Sequence, residues 1–132
     1  MQFMKWFLAP VFVAAMWMVL TPASIADDEP IPETNPYSGD KKAIRSGQSW
    51  YRNVCSNCHG GRADGQGERG TGADLRKFNK GFQGFVHIVL DGRKVEGRIQ
   101  FMPAWRGVLS QKDIYQIGAY LETLANEQAN WK

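Results

Sequence analysis

Cysteine and histidine are scarce in this chain: 132 residues hold only Cys55, Cys58, His59 and His87. A closed structural zinc site needs four protein ligands. These side chains reach that number, but the gap from His59 to His87 fits no usual zinc spacing. A structural disulfide is a poor account too, because bridging cysteines three apart closes a tiny loop and restrains little of the unfolded chain. No basic run exceeds two residues, which argues against nucleic acid as a partner. Repeats, heptads and alternating strand patterns are also missing, so the fold class is all-α. No apolar run reaches the ~18–20 residues that usually span a membrane.

The longest apolar run, residues 6–20, reads instead as an export signal. Lys5 precedes it, Pro22 follows it, and Ser24-Ile25-Ala26 offers the small residues a signal peptidase cuts after. Residues 1–26 are therefore expected to be a signal peptide, with an uncleaved anchor as the rival reading. After cleavage no stable membrane insertion is expected. The remaining 106 residues are few for a self-sufficient core, and chains of that size often need a cofactor, metal or disulfide as a staple. Charge is uneven along them. Asp27, Asp28, Glu29 and Glu33 make the beginning acidic, whereas from Thr34 onward fifteen Lys and Arg face nine Asp and Glu. A basic body points to an acidic partner surface, against the plainer role of keeping the protein dissolved.

Residues 27–39, with Pro30, Pro32, Pro36 and Gly39, read as an extended arm without a core of its own. Residues 40–132 form the expected domain. Ile44, Gly47, Tyr51 and Val54 recur at helical spacing and run into Cys55. Six of the thirteen residues from Gly60 to Gly72 are glycine, which marks a tightly turning loop. A short helix is predicted over residues 82–90, stopped by Asp91-Gly92. Residues 91–109 are irregular and carry Met102-Pro103. The last helix opens on Ser110 and Asp113, a variant of the capping box, and Ile114, Ile117, Gly118, Leu121, Leu124 and Ala125 form its core stripe.

The chemistry is concentrated in Cys55-Ser56-Asn57-Cys58-His59. Residues three apart share a helix face, so both thiols can reach the two vinyl groups along one edge of a haem, with the imidazole beneath the iron. This spacing is specific for covalent haem attachment. A thioredoxin-like redox pair would need a βαβ context that is missing. Gly65-Gln66-Gly67-Glu68-Arg69-Gly70 matches a dinucleotide fingerprint, but that pattern has meaning only between a strand and a helix. For the sixth iron ligand, Met1, Met4, Met16 and Met18 leave with the signal, so Met102 is the only thioether left. His/Met ligation raises the reduction potential and suits an electron carrier. Two alternatives stay open: Met102 as mere packing, and His87 as a second imidazole that would lower the potential.

From Gly47 to Leu124 the chain resembles class I cytochromes c. The resemblance is carried by Gly47 and Tyr51, the haem motif with Gly60, the glycine-rich loop ending at Leu75, Met102-Pro103, and a final helix with Tyr120. It implies three to five short helices around one covalent haem c, the first and last crossing at Gly47 and Tyr120, with His59 and Met102 as axial ligands. The family's Gly-Pro-x-Leu is here Gly72-Ala73-Asp74-Leu75. The proline whose carbonyl takes the axial histidine's hydrogen bond is replaced by Ala73, which keeps a carbonyl but loses the fixed φ.

Four further stretches, Asn35-Pro36-Tyr37-Ser38-Gly39, Ala73-Asp74-Leu75-Arg76, Met102-Pro103-Ala104-Trp105 and residues 117–124, look like cytochromes that serve pyrroloquinoline-quinone (PQQ)-dependent alcohol dehydrogenases. That resemblance implies a periplasmic one-electron carrier, not an enzyme, reduced by such a dehydrogenase in methanol or ethanol oxidation. A downstream cytochrome or terminal oxidase would be the acceptor. The alternatives are a general shuttle with another donor, and a haem enzyme or gas sensor with an open iron. Arg62, Arg69, Arg76, Lys77, Lys80, Arg93, Lys94 and Arg98 are the candidates for a cationic ring about the haem edge.

Overall fold

The structure, a computed structural model, describes residues 29–132; the expected signal peptide lies outside the described residues. Three helices of ten or more residues build the frame. The first, α1 (Lys41–Trp50), starts where the Asp40 side chain accepts a hydrogen bond from the Ala43 amide at 2.7 Å, satisfying one orphan donor of the first turn. Without a break it widens into a π-helical turn (Tyr51–Cys55) and then tightens into α2 (Ser56–His59). A minimal hairpin follows, β1 (Gln66–Gly67) paired antiparallel with β2 (Gly70–Thr71). It is the one named sheet among the described residues, and too short to show any alternation in sequence. A 3₁₀ turn (Leu75–Lys77) leads to α3 (Gly81–Asp91), and α4 (Gln111–Glu122) closes the frame. The all-α expectation holds, with that hairpin as an addition.

The first and last long helices cross at Gly47. A methyl group there would overlap the Gln116 carbonyl and stand 2.9 Å from the Ile117 nitrogen, so only glycine lets the two backbones touch. Around the crossing lie the fully buried Tyr51, Ile114, Ile117 and Leu121. The Tyr51 and Tyr120 rings meet at 5.5 Å, and the Tyr51 hydroxyl donates to the Gly60 carbonyl at 2.6 Å. That last bond ties the crossing directly to the end of the cysteine motif. Burial pushes the Tyr51 phenol far above its ordinary range, so at neutral pH it stays a hydrogen-bond donor.

The Ser110 cap forms as the sequence predicts. Its hydroxyl accepts from the Asp113 amide at 3.2 Å, and the Asp113 carboxylate accepts from the Ser110 amide at 3.2 Å. Aspartate thus fills the glutamate role of the box. The stripe is shorter than its sequence suggests, because α4 ends at Glu122 and leaves Leu124 and Ala125 beyond it. Leu124 still packs on the core from the following turn. The described part of the arm lacks a core of its own but does not lie loose. Asn35 is buried, donating through Nδ2 to the Tyr115 carbonyl at 2.9 Å and accepting from the Tyr37 amide at 3.0 Å. Gln83 and Gln111 donate to the carbonyls of Ile31 and Glu29.

Candidate haem site

The site begins with the change of helical pitch. A π turn takes one residue more than an α turn, and such turns recur at functional sites. Here it ends on Cys55, immediately ahead of the α2 turn that carries Cys58 and His59. Cys55 and His59 line one apolar cavity; Cys58, three residues on, is exposed. The third and fourth helices also line it, α3 through Phe85, Ile88 and Val89, and α4 through Ile117 and Leu121. Leu75, Phe78, Trp105 and Leu109 close the sides, and Met102 enters the same cavity from the irregular segment. Of the chain's thioether and imidazole candidates, Met102 and His59 are thus brought together. His87 is not. It is exposed on the outer face of α3, its ring nitrogen 3.8 Å from the Asp91 carboxylate.

Second, the loop after His59 holds the imidazole. His59 Nδ1 lies 2.9 Å from the Ala73 carbonyl. A carbonyl can only accept, so Nδ1 carries the proton and Nε2 keeps a free lone pair, the arrangement an iron ligand needs. The contact survives the loss of the family's proline. Backbone bonds reinforce it: the amides of Arg69, Gly72 and Gly65 donate to the carbonyls of Asn57, Cys58 and His59 at 2.8–2.9 Å. These carbonyls have no partner within a helix as short as α2, and the loop supplies it. A methyl at Gly72 would stand 2.6 Å from the Cys58 oxygen and 2.8 Å from His59 Nδ1. Gly65, which opens the stretch that mimics a dinucleotide fingerprint, therefore belongs to a clamp on the cysteine motif.

On the far side, Met102 is held by its backbone. It exchanges two hydrogen bonds with Arg93, each 2.9 Å, and the Trp105 amide donates to the Val89 carbonyl at 3.0 Å. The antiparallel bridge, and the place of Trp105 in the cavity lining, are what sequence reasoning missed. Two residues in an otherwise irregular segment give no period to detect.

The donor set fits a haem. The walls are almost wholly apolar, two thiols stand one helical turn apart, and an oriented imidazole and a thioether face one cavity. The rivals fit badly. Burial, then the neighbouring Cys58, pushes the Cys55 thiol up to about 12. A disulfide-exchange pair needs the opposite shift. Among the described residues no group of three or more His, Cys, Asp or Glu side chains is placed to hold a metal ion, which removes the zinc reading. When bound, haem supplies a one-electron couple at its iron. Cys55 and Cys58 are the residues that would tether it, and His59 and Met102, which share the cavity, are those that would face its iron.

Of the expected cationic ring, Arg76 is engaged in a two-pronged bond to Asp74 (2.9 and 2.8 Å), and Arg62 lies 3.5 Å from Asp64. Arg93, Lys94 and Arg98 are exposed. No helix among the described residues is long and apolar enough to cross a membrane.

Comparison with known proteins agrees with this geometry. The family model described as cytochrome c oxidase, cbb3-type, subunit III matches residues 42–121. Among solved structures, cytochrome CL from the marine methylotrophic bacterium Methylophaga aminisulfidivorans is similar, with a TM-score of 0.54 and 21% sequence identity. The likeness covers 77% of this chain and 72% of that one, and at such identity it shows the fold. A search of curated proteins found no match. The chain belongs to this cytochrome c family: it carries a covalently bound haem c and works by electron transfer, not by catalysis.

Proposed function

We propose that the chain is a periplasmic one-electron carrier, reduced by a PQQ-dependent alcohol dehydrogenase and oxidised by a downstream cytochrome or terminal oxidase. The observation that carries the proposal is the meeting of His59 and Met102 in one apolar cavity from separate elements. With both axial positions supplied by the chain, nothing is left for a substrate to occupy. A reduced quinone holds two electrons and one haem takes one, so two encounters serve each alcohol oxidised. The dehydrogenase is favoured as donor by the four stretches quoted above and by the likeness to a methylotroph's cytochrome CL. The family's description, which names an oxidase, favours a second reading: an oxidase-linked shuttle with another donor.

A docking face is already suggested by the surface. Ile99 is 99% exposed, Val108 67% and Phe101 65%, all in the segment that carries Met102. Met102 pairs with Arg93 across an antiparallel bridge and faces inward, so alternation turns its neighbour Phe101 outward. Exposed apolar groups beside Arg93, Lys94 and Arg98 suit a brief, charge-steered contact with an acidic partner. Stopped-flow mixing of the oxidised cytochrome with a purified, reduced PQQ alcohol dehydrogenase tests the proposal. Fast reduction that slows as salt rises is expected. Failure of that enzyme to reduce it, with prompt oxidation by an oxidase intact, would move the donor assignment to the second reading.

A further inference from the structure

Met102 is carried by a lobe with little to hold it down. Every residue from Arg93 to Phe101 is exposed, so no buried side chain anchors that stretch to the body. At its neck Met102 and Arg93 exchange their two backbone bonds, and Arg106 reaches back to the Asp91 carboxylate at 2.7 Å. Those contacts tie Met102 to the end of α3. None of them reaches the loop that aims His59. One bond does span that gap. Gln100, two residues before Met102, donates through Nε2 to the Arg69 carbonyl at 3.1 Å. Among the described residues it is the one hydrogen bond that joins residues 94–101 to any other part of the chain.

Arg69 stands at the turn between β1 and β2, and its own amide donates to the Asn57 carbonyl inside the cysteine motif at 2.9 Å. A continuous line of contacts therefore runs from the Met102 lobe through Gln100 and Arg69 to the segment that ends on His59. A carbonyl only accepts, so the atom turned to it is the Gln100 amide nitrogen. We infer that Gln100 is a positioning residue for the sixth iron ligand: its bond to the Arg69 carbonyl latches the Met102 lobe to the loop that holds His59. The inference rests on Met102 as that ligand and is independent of which donor reduces the protein. Exposed, sparsely packed segments are where a fold opens first. With the latch made, departure of Met102 from the cavity requires this bond to break along with the neck. Without it, the lobe opens at the neck alone.

The test is Gln100→Ala in the matured holoprotein, followed by stopped-flow binding of imidazole to the ferric form. At saturating imidazole the rate reports how fast Met102 vacates the iron. That limit is expected to rise about 2–10-fold in the variant, the range a single net hydrogen bond supplies. Asn35→Ala, which removes a bond between the arm and α4, is the control and should leave the limit unchanged. A limiting rate for Gln100→Ala equal to wild type would overturn the inference. An equal rise in both variants would overturn it too, since Gln100 would then act only on general stability. Wild-type binding that never saturates would put Met102 off the iron and sink the ligand reading together with the latch. Should the variant fail to mature, NMR of the wild-type protein decides. One Gln100 side-chain amide proton is expected to exchange with solvent more slowly than in free glutamine, and exchange at the free rate would overturn the latch.

Discussion

Replacing Gly47 by alanine adds a single methyl at the crossing of the first and last long helices, and its effect can be worked out from the contacts there. The new Cβ would overlap the Gln116 carbonyl oxygen and lie 2.9 Å from the Ile117 nitrogen. Both neighbours are backbone atoms in the middle of α4, so no rotamer change relieves the clash and the helices must part. Over-packing of this kind costs about 1–3 kcal/mol, and immovable neighbours put the cost at the upper end. Alanine returns roughly 1 kcal/mol of helix propensity. The net loss is about 2 kcal/mol, or about 8–16 °C in melting temperature for a domain of this size. Thermal unfolding of the matured holoprotein, followed by far-UV circular dichroism, measures it. A variant melting at or above wild type would refute the close-crossing argument. The valine variant should fare worse, since it adds bulk without the propensity gain.

Met102→Ala should open the sixth iron position. The reduced variant is expected to bind carbon monoxide rapidly where wild type does not, and to lose about 2 kcal/mol of stability from the half-buried side chain. Absorbance of the reduced form under carbon monoxide checks the first outcome, and binding by wild type would revive the open-iron alternative. Asn35→Ala removes the Nδ2 bond to the Tyr115 carbonyl and should cost about 1–2 kcal/mol in a denaturant titration. Asp74 is held below the usual carboxylate range, chiefly by its bonds with the Arg76 side chain. Its stabilising share is present above the unfolded carboxylate pKa and is lost as pH falls through the lowered native value. The Asp74→Asn variant should therefore show a smaller loss of stability on acidification than wild type.

How legible the site was depended on whether its parts are local. The cysteine motif and the Ser110–Asp113 cap are complete within five residues or fewer, so both read directly from the chain, and the cap forms as read. The helix crossing was legible only through the family resemblance, which placed Gly47 and Tyr120 at it, and Gly47 does stand there. Contacts that join distant segments one residue at a time left no period to find. The Arg93–Met102 bridge, the Asn35–Tyr115 bond and the packing of Trp131 on Phe78 are of that kind. The π-helical turn was also hidden, because Tyr51 and Val54 keep an α-like spacing across it. The stripe on α4 was overread at its end, where Leu124 continues the pattern past the last helical turn.

The clamp over α2 is made almost entirely of main-chain atoms, and this separates two jobs that often constrain each other. Amides of residues 65, 69 and 72 hold the three carbonyls beneath the imidazole, while the side chains of Arg62, Gln66, Glu68 and Arg69 stand in solvent. Recolouring that surface with different charges would leave the grip on His59 intact. A descendant of this protein could change the company it keeps on that side by point substitution, without retuning its metal, provided the loop's length and its glycines are left alone.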